Sequence, residues 1–160
     1  MAIQTLTTYL NDHLAGSVAA IELLDHLRKA SSGTERGTLF TALQSEIEED
    51  QKVLKELLRG LGEQPSRVRQ AAAWLTEKVG EAKLKLDDPG SGELRLLEAL
   101  ETLELGILGK LALWRALGVA AERVPQIRRL DLAGLERRAR DQQVRVETER
   151  LKVARAALGA

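Results

Sequence analysis

The sequence has no cysteine, only three prolines and four aromatic residues, and its charges cancel. Without cysteine there is no disulfide framework, no thiolate nucleophile and no cysteine-based zinc site. The 24 lysines and arginines balance 24 aspartates and glutamates, so no overall field draws in nucleic acid or an anionic membrane. No stretch approaches the roughly 18 consecutive apolar residues of a membrane span. The opening "MAIQTLTTYLND" has no basic segment followed by an apolar run, which predicts no signal peptide and a cytoplasmic protein. Runs of Val, Ile, Thr and Tyr that would favour strands are missing too. Leu, Ala, Glu, Arg and Lys dominate instead, which predicts an all-α chain forming one domain over residues 1–160.

Apolar residues recur at steps of three and four, the spacing of a helix buried on one face. The first helix is expected over about 3–30, on Ile3, Leu6, Leu10, His13, Ser17, Ala20, Leu24 and Leu27. "SSGTERG" breaks the pattern. A second helix then runs to about Leu61, on Phe40, Leu43, Ile47, Asp50, Leu54, Leu57 and Leu61, until "RGLGEQPS" stops it. An extra amphipathic helix is predicted over about 66–86, with Ser66 as its N-cap. In "LDDPGSG", Asp88 can cap a third helix and Pro89 suits its first position. That helix extends to about Leu117 on Leu97, Leu100, Glu104, Ile107, Leu111 and Trp114. After an irregular connection at Gly118 and Pro125, a fourth runs from Leu132 to Leu158 on Leu135, Ala139, Gln142, Val146, Glu149, Val153 and Ala156. Helices of about 25 residues are roughly 40 Å long, and such rods pack side by side as a four-helix bundle. The short first turn makes helices one and two antiparallel neighbours. About 30 residues separate helices two and three, enough to cross the bundle's length.

Each apolar series is interrupted by polar residues: His13 and Ser17, then Asp50, Glu104, and Gln142. Burying an unpaired polar group costs several kcal/mol, so interruptions on all four helices imply that they meet. They could meet around a metal ion or in a hydrogen-bonded core.

"HLAGS", the acid-rich "FTALQSEIEEDQKVLKELLRGLG" and the long connection before the third helix together resemble the ferritin-like superfamily, its rubrerythrin-type members most closely. The resemblance implies a four-helix bundle with a long crossover between its second and third helices, here carrying the extra helix. It also implies a di-metal site with a Glu on each of two helices and a Glu-x-x-His on each of the other two. Most of that ligand set is replaced. Ser17, in Ala15-Gly16-Ser17, stands where the first-helix Glu belongs. The second helix's Glu-x-x-His falls on Ile47 and Asp50, and a shift by one gives Glu46 and Glu49. The third helix retains Glu98, Glu101 and Glu104. The fourth offers Gln142, Gln143 and Glu147 without a histidine. A di-iron(II) centre needs about four carboxylates to offset its charge.

The reading that follows is a degenerate site without metal or cofactor, a polar core of His13, Ser17, Asp50, Glu104 and Gln142. His13 is expected to pair with Asp50 or Glu104, and the core to fix helix register. The protein would then be non-catalytic, structural or partner-binding. The alternative is a residual iron- or manganese-dependent oxidoreductase or metal store using His13, Asp50, Glu101, Glu104 and Glu147.

The arginine-rich C-terminal stretch has no interleaved aromatics to stack on bases, so no nucleic-acid partner is expected. Its acids sit at helical spacing for surface pairs, Glu136 with Arg140, Asp141 with Arg145 and Arg145 with Glu149. The 66–86 helix, with its alanine-rich apolar line, is expected to pack Trp74 and Leu75 on the bundle rather than enter a membrane. Gly106 and Gly109, inside the third helix, predict close approach by a neighbouring helix or by a second copy in a homodimer.

Overall fold

A computed structural model describes residues 2–63 and 92–159 of the chain. The described residues are helical and contain no strand. Four long helices account for most of them: α1 (Ala2–Ala30), α2 (Glu35–Gly60), α3 (Gly92–Ala120) and α4 (Leu132–Leu158). The helix expected over 66–86 and the start expected at Asp88 and Pro89 lie outside the described residues.

Each boundary has a local cause. Between α1 and α2 the chain reverses in four residues, with Gly33 at φ +78°. The Thr34 hydroxyl accepts a hydrogen bond from the Gly37 N–H at 3.1 Å, capping α2. Gly37 is required sterically, because a Cβ there would lie 2.2 Å from the Ser31 carbonyl oxygen. At the far end of α2 the N–H groups of Gly62 and Glu63 donate to the carbonyls of Arg59 and Leu58, both at 3.0 Å, with Gly62 left-handed at φ +83°. That arrangement satisfies the last carbonyls of the helix. Between α3 and α4, a short 3-10 turn over Ile127–Arg129 buries Ile127 under the bundle. The Asp131 carboxylate then accepts from the Gly134 N–H at 2.9 Å and starts α4.

The leucine pattern fills two apolar clusters. One joins Leu23, Leu27, Phe40, Leu43, Leu100, Leu103 and Val153. The other joins Leu10, Leu14, Leu54, Leu58, Trp114, Ile127 and Leu135. From the first cluster to the second, residue numbers rise along α2 and α3 and fall along α1 and α4. Helices α2 and α3 therefore run parallel to each other and antiparallel to α1 and α4. In cross-section the order is α1, α2, α4, α3: α1 packs extensively on α2, α4 on α3, and two thinner seams, α1–α3 and α2–α4, join the pairs. The expected stripes match the buried positions closely along α2 and α4. On α1 the first turn departs, with Ile3 60% exposed.

Candidate functional site

Between the two apolar clusters lies a polar layer. Its centre is Asp50 on α2, whose side chain is 3% exposed. Lys110 reaches across the interior from α3 and places its ammonium 2.6 Å from Asp50 Oδ2. The same ammonium donates to Gln142 Oε1 on α4. The other oxygen of Asp50 accepts from Arg138, through Nε at 2.9 Å and through Nη2. One buried carboxylate thus holds two cations. Its lone pairs are occupied by charge-assisted donors, the condition under which a buried charge is tolerated.

The layer continues along the α2–α4 seam. Gln142 Nε2 donates to Glu46 Oε2 at 3.0 Å, and Arg145 Nη2 donates to the same oxygen at 2.5 Å. Arg138 also reaches Glu49 at 3.2 Å, and Arg36 pairs with Glu149 at 2.6 Å nearer the α1–α2 turn. Burial would raise the Glu46 carboxyl, but the bonds from Arg145 and Gln142 outweigh it and hold it below its ordinary value. For Lys110 burial wins: the ammonium is pushed down despite the pull of Asp50.

The opposite seam, between α1 and α3, is built differently. It opens into a cavity of about 240 Å³, walled by Ile47, Leu54, Ile107 and Leu113, with Asp50 and Lys110 among its lining. Gly16, Gly106 and Gly109 also line it, and a Cβ built on any of the three would meet nothing within 4 Å. The expectation that Gly106 and Gly109 let a neighbouring helix approach closely therefore needs correction. Among the described residues these glycines leave space instead of closing it. Asp12 and Gly106, both exposed, mark the mouth.

Of the five residues expected to form one core, His13, Ser17 and Asp50 line the same cavity, Gln142 joins Asp50 through Lys110, and Glu104 lies apart on Arg150. Asp50 and Gln142 are both buried and are joined through Lys110. Ser17 faces the α1–α2 contact, where it donates to the Leu14 carbonyl at 2.6 Å and accepts from Gln51 at 3.0 Å. Lys55 donates in turn to Gln51 at 2.6 Å. His13 lines the cavity with its ring edge-on to Tyr9, centroids 4.7 Å apart. Burial pushes its imidazole below the ordinary 6.5, outweighing the opposite effect of Asp12. The expected pairing of His13 with Asp50 or Glu104 is replaced by other partners, because the longer Lys110 and Arg138 reach Asp50. Glu104, Glu101 and Glu147 gather around Arg150 at 3.1, 3.7 and 2.7 Å, at the α3–α4 surface away from Asp50. Of the expected surface pairs, Glu136–Arg140 and Asp141–Arg145 both form at 2.8 Å. Glu149 instead pairs with Arg36 and Lys152.

The stripe interruptions do not point to Lys110, Arg138 or Arg145 as members of the layer, and Glu46 enters the sequence reading only as a shifted-register ligand. For Arg138, Arg145 and Glu46 the signal is charge complementarity, an acid-rich second helix facing an arginine-rich fourth; Lys110, on α3, carries no such signal. Among the described residues, no three histidines, aspartates or glutamates come together as a group able to hold a metal ion. None of the described helices is long and apolar enough to cross a membrane. Compared with known protein families, curated proteins and solved structures, the chain gives no match.

Proposed function

We propose that the chain is a non-catalytic bundle on the ferritin-like plan, with a structural or partner-binding role in place of metal chemistry. The observation that carries this reading is the Asp50–Lys110–Gln142–Arg138 cluster at mid-height of the four helices. In a metal-binding bundle of this plan, cations at that level are metal ions held by facing carboxylates. Here the charge opposite Asp50 belongs to the protein's own ammonium and guanidinium. The donor set does not fit a di-metal centre: Asp50 and Glu46 already accept from Lys110, Arg138, Arg145 and Gln142, and Ser17 is bonded to Gln51. The parallel run of α2 and α3 supports the architectural half of the reading, since parallel neighbours in sequence need one long crossover.

Partner binding draws support from the outer face of α3, where Leu105 and Leu108 are exposed beside Gly106 and Gly109. A second copy packing there would give a homodimer. Sedimentation of the wild type and of Leu105→Lys tests it. A dimer lost in the variant supports this part, and a monomeric wild type overturns it.

The metal question is settled by adding iron(II) or manganese(II) to chelator-stripped protein. The expected result is an unchanged Tm and no charge-transfer absorption. A rise of several degrees with one or two ions bound per chain would overturn the metal-free reading and favour the oxidoreductase or storage alternative.

A further inference from the structure

The α1–α3 cavity has the features of a ligand site, beyond a structural role for the bundle. Its walls are aliphatic and its deep end is charged. A 150 Å³ apolar cavity accommodates benzene, so about 240 Å³ admits roughly ten non-hydrogen atoms. The glycines that line it carry a cost with no steric return. Gly in a helix interior is less favourable than Ala by about 1 kcal/mol. Gly16, Gly106 and Gly109 all have ordinary helical φ values, and none is crowded. Larger side chains there would project into the open space.

The deep end favours one kind of head group. An ammonium has three N–H donors, and Lys110 uses two, on Asp50 and Gln142. The third remains for an acceptor in the cavity that Lys110 lines. Asp50 is shared between Lys110 and Arg138, and Arg138 turns also to the exposed Glu49, so the Lys110 ammonium faces the cavity with only part of one buried carboxylate opposite it. Asp12 at the mouth is exposed and screened by solvent. His13, also on the lining, adds a polar imidazole on the α1 side.

We propose that this cavity binds a small monocarboxylate of about ten non-hydrogen atoms in all, its carboxylate on the Lys110 ammonium and its apolar body between Ile107, Leu54 and Leu113.

Octanoate, octanamide and octylammonium are matched in size and differ in head group, so calorimetric titration of each into chelator-treated protein tests the proposal. Octanoate should bind one per chain, at least tenfold tighter than octanamide, with octylammonium weaker still. Gly109→Leu, which improves helix propensity while filling the cavity, should abolish binding in a fully folded protein. Lys110→Met should remove the preference for the carboxylate. Equal binding of octanoate and octanamide would overturn the head-group assignment. Undiminished binding to Gly109→Leu, or no binding of any of the three, would overturn the site. Chelator in every titration keeps this result separate from the metal test.

Discussion

The two thin seams that join the helix pairs solve the same problem in opposite ways. Along α2–α4 the helices are bridged by charge, from Arg36–Glu149 through Glu46–Arg145 to Asp50–Arg138. Along α1–α3 glycines leave a cavity between the helices unfilled. Both meet at Asp50 and Lys110, which close the first seam and floor the second. The contrast teaches that one pair of side chains serves both seams, bridging helices on one side and shaping the cavity on the other.

The charged seam is the more sensitive of the two. Asp50→Ala removes the single carboxylate that holds two cations and leaves Lys110 buried and uncompensated. Loss of one partner from a buried pair costs about 3–5 kcal/mol, read here as a lower urea midpoint at unchanged slope. Replacing the pair together, as Asp50→Leu with Lys110→Met, leaves Arg138 with its Glu49 contact and should restore a midpoint at least equal to the wild type. A double variant as unstable as Asp50→Ala would show that the pair stabilises the fold in its own right.

The open seam should respond with the opposite sign. Gly106→Ala and Gly109→Ala add a methyl group that meets nothing, so each should stabilise by about 0.5–1 kcal/mol in the same assay. Destabilisation by either would mean that something packs against those positions.

The smallest effect is expected from pH. His13 has its folded-state pKa lowered, so below about 6.5 the unfolded chain takes up the proton first and stability falls. Glu46 is also lowered from 4.5, and its contribution, present above that value, is lost as pH falls through the folded pKa. Both slopes have the same sign. A urea midpoint that declines in two steps on acidification, the first absent in His13→Ala, would assign them to the two seams.

Much of this was legible in the sequence. The stripes through Phe40, Leu43, Ile47 and Leu54, and through Leu135, Ala139 and Val146, fixed both the helices and their inward faces, because apolar burial is periodic. Asp50 and Gln142 could be identified as buried because they interrupt those stripes. Lys110 could not, since it sits beside Leu111 at the stripe's edge and a long charged side chain there reads as solvated. Its aliphatic stem lets the ammonium reach the centre from an edge position. Pairwise choice was illegible for the same reason: His13 lies on the right face, but reach decided which cation Asp50 would hold. The cavity was equally hidden, because a glycine pair looks alike whether it admits a helix or leaves room.

The four-residue turn between α1 and α2 and the short connection between α3 and α4 make each pair a local hairpin, with the long connection between them. Local contacts form early, and contacts across a long connection form late. Asp50 and Lys110 sit on different hairpins, so their desolvation falls in the docking step. The polar layer is therefore expected to act on the speed at which finished hairpins join as well as on final stability.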